Sequence, residues 1–192
     1  MTIKEKIKQL EAALVACSAS VLHYLNPGLP TAQILEVLSA NNINPYPGLI
    51  ALYEWHNGTP YFRQGISSVF LNVLPYCFFY SLQDMVRLKR EFLSWKYLAA
   101  NLGDMNDYWP LLGSLEDDMY LLKNSTGEIY YISPAVQIYG NLEFTSIDKM
   151  LDFAIECYQQ NIFVIDPKRG LRTDFDKYEV LRSKYLNNSV RQ

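Results

Sequence analysis

Tyr108-Trp109-Pro110-Leu111-Leu112, Gly113-Ser114-Leu115-Glu116-Asp117-Asp118, Met119-Tyr120-Leu121-Leu122-Lys123, Asn124-Ser125-Thr126-Gly127 and Glu128-Ile129-Tyr130-Tyr131-Ile132-Ser133 follow one another without a break, and Pro134 closes the run. Three apolar, tyrosine-rich segments alternate with two sets of turn residues. Tyrosine, isoleucine and tryptophan suit a pleated, half-buried surface, and Gly, Ser, Asn and Asp suit tight turns. The stretch predicts an antiparallel meander against which the other segments pack as helices or edge strands.

On the N-terminal side, Ile3, Ile7, Leu10, Leu14, Cys17, Val21 and Leu25 step by three or four. They predict one amphipathic helix over 2–25, with Lys4, Lys6 and Lys8 off its apolar stripe. Asn26-Pro27-Gly28 ends it. Thr31 to Ala40 reads as a second helix. Pro47 opens a third that runs to His56 and stops at Asn57-Gly58, proline suiting a first turn and glycine a C-terminal cap. Thr59 to Ser68 reads as loop. Val69–Val73 and Tyr76–Tyr80 read as strands. Ser81, with Asp84 three residues on, caps a helix that runs to about Ala100. Its charged residues Arg87, Lys89, Arg90 and Lys96 read as a solvated face.

Beyond the meander, Val136–Phe144 reads as a loop or weak edge strand that turns at Gly140-Asn141. Thr145 caps the next helix, with Asp148 in the box position. Ile162–Ile165 is a short strand or packed loop, and Lys168 to Arg172 a basic loop. Asp174 caps a last helix over 174–187. Helices flanking one grouped set of strands indicate an α+β fold. The expected architecture is a single domain, 1–192, with a mostly antiparallel sheet flanked by helices at its N-terminal and C-terminal sides.

Composition narrows the function. Hydrophobic residues make up 49% of the 192 residues, too many for a disordered chain. The net charge of -3 speaks against broad nucleic-acid binding, which needs a basic field. The three cysteines, Cys17, Cys77 and Cys157, are widely spaced and form no CxxC pair, so they read as reduced thiols of a cytoplasmic protein. No run approaches the roughly 18 apolar residues of a membrane span. His23 and His56 belong to no metal-spacing motif and read as capping or packing residues. Trp55, Trp95 and Trp109 read as core. No GxSxG, phosphate loop or dinucleotide motif occurs, so no catalytic residue, cofactor or metal ligand is assigned.

Glu116-Asp117-Asp118 is the most distinctive polar cluster. Adjacent carboxylates repel one another, and a cation or a basic partner would relieve them. Three readings stay open for it: an exposed turn without a partner, a surface that meets a basic protein, and a metal site of a hydrolase. With Tyr108 and Tyr120, read as exposed, these acids form the candidate partner-binding set.

The order of elements resembles the SUKH superfamily. The residues that carry it are Pro47, Leu52, Tyr53 and Asn57-Gly58; Tyr80-Ser81-Leu82; Trp109-Pro110; Asp118 with Tyr120-Leu121-Leu122; Gly127; Ile129-Tyr130; and Phe144-Thr145-Ser146. The likeness spans roughly Thr31 to Tyr158, with the first and last helices as additions. Two features depart from the pattern. The Leu-Pro that usually precedes the Asn-Gly helix is replaced by Asn44-Pro45-Tyr46-Pro47, and Asp117 stands where a glycine usually precedes the turn aspartate. The resemblance implies a non-enzymatic protein-binding domain, in many members an immunity protein that neutralises a cognate toxin of the nuclease or deaminase class. A regulatory or scaffold module with another partner remains an alternative.

Overall fold

A computed structural model describes residues 1–60, 67–75, 77–115 and 117–189. The fold is α+β. Six antiparallel strands pair strictly in chain order: β1 (Asn72–Leu74), β2 (Cys77–Phe79), β3 (Tyr108–Gly113), β4 (Met119–Lys123), β5 (Ile129–Ser133) and β6 (Ile138–Phe144). The meander expected over 108–133 is its centre, with Tyr120 opposite Tyr131 and Leu122 opposite Ile129. A separate hairpin, β7 (Phe163–Asp166) with β8 (Gly170–Thr173), absorbs the basic loop as its turn and second strand. Residues 138–144 make a full seven-residue edge strand, and Gly140-Asn141 lies within it. Asn141 pairs with Tyr131, and two register shifts along the β5–β6 ladder bend this edge.

Seven α-helices surround the sheet among the described residues: α1 (Ile3–Ala16), α2 (Thr31–Ala40), α3 (Pro47–Trp55), α4 (Leu82–Phe92), α5 (Lys96–Leu102), α6 (Ile147–Gln159) and α7 (Phe175–Ser189). Two of the expected helices are shorter than their periodicity. The first ends at Ala16 because Ser18 takes a left-handed φ of 54° and the Ala19 amide reaches back to the Leu14 carbonyl. A 3-10 turn over Ser20–His23 follows and still delivers Val21 to the core, which is why the stripe seemed continuous. The helix that Ser81 starts ends at Phe92, and α5 begins after a turn at 93–95. Ser81 caps as expected, its hydroxyl accepting from the Asp84 amide at 3.0 Å. The cap of α6 is Ser146, one residue later than expected, and Asp148 binds Lys6 of α1. Of the strand expected at Val69–Val73, only Asn72 and Val73 are extended, after a 3-10 turn over Ser68–Phe70. Residues 61–66 of the expected loop, and Tyr76 of the second strand, lie outside the described residues.

Both faces of the sheet are covered. Trp109, Tyr120, Leu122, Ile129 and Phe144 pack into the main core with α1, α3 and α6. The alternate residues Tyr108, Met119, Leu121 and Ile132 pack into a second cluster with Phe92, Leu98 and Leu102 of α4 and α5. This overturns the expectation that Tyr108 and Tyr120 are surface contacts. Each retains only 4% of its exposure, because a strand alternates its side chains and here neither face meets water. Tyr120 stacks at 6.2 Å on Phe144, and Tyr108 meets Tyr130 edge-on at 5.3 Å.

Polar ties fix two helices. Lys6, expected off the apolar stripe, is buried between α1 and α6, where it pairs with Asp148 and with Asp152 at 2.7 Å. Burial works against its ammonium, but the two carboxylates outweigh that and raise its pKa. On the other side, Arg182 of α7 grips Glu143 of β6 with two hydrogen bonds of 2.7 Å.

Candidate functional site

The β3–β4 turn carries the acidic cluster. Its base is tight: the Ser114 amide donates to the Asp118 carbonyl at 2.8 Å, and the Asp118 amide donates to the Ser114 hydroxyl at 3.1 Å. Gly113 enters the turn directly beneath Tyr80, where a Cβ would lie 1.9 Å from the phenol oxygen. Gly113→Ala is therefore expected to cost about 2 kcal/mol through overpacking. A denaturant midpoint equal to that of the parent would show that the ring yields freely.

Between these anchors the turn projects. Leu115 is 52% exposed, and Asp117 is exposed with φ 64°. Aspartate tolerates this left-handed conformation better than most side chains, but glycine adopts it without cost. Asp118 is half-buried, and its Oδ1 is sealed from solvent with no hydrogen-bond donor among the described residues. Glu116 lies outside the described residues. Among the described residues no three His, Cys, Asp or Glu side chains gather in a way that could hold a metal ion.

The remaining sequence candidates take structural places. His56 lies with Nδ1 2.9 Å from the Asn26 carbonyl oxygen, so this nitrogen carries the proton and ties the end of α3 to the preceding loop. His23 is exposed at the end of its 3-10 turn. Cys77 and Cys157 are buried free thiols, and burial pushes Cys157 up to about 12, far from nucleophilic activation. Trp109 is buried, whereas Trp55 and Trp95 are half-buried against the core clusters.

The feature that sequence reasoning missed is Lys89. It was assigned to a solvated helix face, yet it retains 6% exposure. Its ammonium donates to the carbonyls of Met105 (2.6 Å), Asn106 (3.0 Å) and Tyr108, and lies 5.0 Å from the Trp109 ring centre. Burial lowers its pKa to about 8, with Asp104 and Asp107 pulling the other way. The only signal in the sequence was its place between Leu88 and Phe92, both of which face apolar clusters. Beside it opens a groove of about 420 Å³ bounded by α4, the end of α2, and the β4–β5 turn.

No protein-family model matches the chain, and no curated protein matches it either. The functional reading therefore rests on the chain's own residues. Among the described residues, no helix is long and apolar enough to cross a membrane.

Proposed function

We propose that the chain is a non-enzymatic protein-binding domain of the SUKH, immunity-protein type, acting in the cytoplasm on a basic toxin of the nuclease or deaminase class. One observation carries the reading: the β3–β4 turn is a braced acidic knob, with Leu115 and Asp117 exposed at its tip. A toxin that handles nucleic acid presents basic groups, and an acidic knob steers towards them and disfavours acidic partners. The exposed Asp117 carboxylate is the group that such a partner meets first. The backbone also supports the resemblance. Asp117 stands where the family pattern has glycine, and that position adopts the conformation glycine favours. With Tyr108 and Tyr120 buried, the contact surface is reassigned to the turn itself.

The test is co-expression with the product of the adjacent gene. A one-to-one complex that relieves that product's toxicity is expected. Asp117→Gly, which removes charge without straining the backbone, is expected to weaken the complex about tenfold. A neighbouring product that is harmless and does not bind overturns the proposal. The adjacent acids Asp117 and Asp118 leave a second reading to be tested, a metal-dependent hydrolase. A melting temperature raised by Mg²⁺ or Mn²⁺, and no longer raised in Asp117→Asn with Asp118→Asn, would replace the first reading with that one.

A further inference from the structure

The groove beside Lys89 lies at the other end of the β3–β4 hairpin from the acidic turn, roughly 17 Å away along a six-residue strand. Its chemistry is the reverse of the chain's. The chain carries a net charge of -3, yet the charged residues lining the groove among the described residues are Lys89 and Arg90, with Asp104 and Asp107 set back behind the wall near Lys89. Lys89 spends its protons on three carbonyls, so it acts as a fixed positive charge in the wall. Arg90 is different. On α4, Arg87 is matched by Asp84 at 3.1 Å and by Glu91 at 2.8 Å, whereas Arg90 is exposed and has no ion pair among the described residues. Its guanidinium fork is available to a carboxylate.

Around these cations stand four carboxamides: Asn41, Asn42, Asn106 and Asn124. An asparagine side chain offers one acceptor and two donors, the complement of a peptide group. Asn124 uses its own to hold the Asn42 and Asn44 backbones, which fixes the rim. Asn41 donates to the Val37 carbonyl at 2.8 Å and exposed Asn106 to Asp104 at 3.0 Å, each leaving a second N–H and its oxygen, and Asn42 is exposed. The indole N–H of Trp109, another wall residue, is buried and has no acceptor among the described residues. Leu93, 41% exposed, supplies apolar area at one side. A second depression of about 470 Å³ continues past Asn42 beneath Leu35, which is also 41% exposed.

We propose that this groove binds an extended, acidic segment of a partner protein. Arg90 takes a carboxylate, the asparagine amides take main-chain groups, and Leu93 and Leu35 take apolar side chains on either side. Nucleic acid fits less well. A phosphate chain needs a run of basic groups, and among the described residues of this groove Arg90 alone is a cation without a partner. The proposal is independent of the acidic turn, which would meet a partner of opposite charge.

Panning the full-length chain against a phage-displayed library of random linear dodecapeptides tests it. Enriched peptides are expected to carry Asp or Glu, and synthetic versions to bind about tenfold more weakly to Arg90→Glu, with Arg90→Ala in between. Both variants change an exposed residue, and an unaltered melting curve establishes that they fold. Asp117→Gly is expected to leave this binding unchanged. No enrichment, or binding that ignores Arg90, overturns the inference. Enriched basic peptides that depend on Asp117 also overturn it, while leaving the reading of the acidic turn in place.

Discussion

Arg182→Ala is expected to lower folding stability by about 3–5 kcal/mol, the largest effect of any single exchange considered. The Glu143 side chain is 1% exposed, and its two oxygens each receive a 2.7 Å hydrogen bond from Arg182. Removing the guanidinium strands a carboxylate in the interior. It then has to be protonated, or drag water in, or release the edge of the sheet. The exposed pair between Arg87 and Glu91 has a similar distance, 2.8 Å, but its loss is worth about 0.5 kcal/mol, since water screens both partners. Arg182→Lys recovers only part of the loss, because a point charge cannot fill a fork. The double exchange Glu143→Leu with Arg182→Met should recover much more, since two apolar groups leave no charge stranded. Urea midpoints give the free energies, and hydrogen exchange in α7 gives the location. A loss below about 1 kcal/mol would mean that α7 is held mainly by buried Tyr178 and Leu181 and by Tyr185, which packs on Phe153 and donates to Glu156 at 2.8 Å.

Lys89→Met comes next, at about 3 kcal/mol near neutral pH. The exchange keeps the stem's volume and removes the donors. Two opposing amounts decide the sign. Neutralising a buried ammonium is favourable, by an amount set by how far its pKa has fallen. Against this, the three carbonyls of Met105, Asn106 and Tyr108 lose a charged donor at about 1–3 kcal/mol each, and the turn between α5 and β3 loses its tie to α4. The second amount is the larger. The parent protein should also carry a signature in alkali. Lys89 titrates at about 8 when folded and at the ordinary lysine value of 10.5 when unfolded. Between those values the unfolded chain binds more protons, so this group's contribution makes stability rise with pH. Lys89→Met should lack that rise. A parent curve that parallels the variant from pH 8 to 10 would mean that the three carbonyls hold the ammonium near its ordinary pKa.

Lys6 and Lys89 show why the site was only half legible. Each adjoins one apolar residue, Ile7 or Leu88, but helical periodicity places each beside an apolar stripe rather than on it. What buries them sits far along the chain: Asp148 and Asp152 for Lys6, the 105–108 turn for Lys89. Tyr108 and Tyr120 were misplaced for a related reason. A strand's alternation tells which residues share a face, but not whether a second layer covers that face.

What the chain determined alone was local. The meander followed from residues that prefer strands and turns within a few positions of one another. The caps at Ser81 and Asp174 followed from backbone groups that a helix end leaves unpaired, whereas the third helix ends at Trp55, with His56 already extended, before the glycine expected to cap it. The projection of the acidic turn was readable too, because a hairpin must expose its connection. Tertiary structure decided the rest. It broke the first helix at Ser18, extended residues 138–144 as an edge strand, covered both faces of the sheet, and assembled a cationic, amide-lined groove from four separate segments of an acidic chain. Burial and electrostatic environment belong to groups that meet only when distant segments pack, and no periodicity within one segment records them.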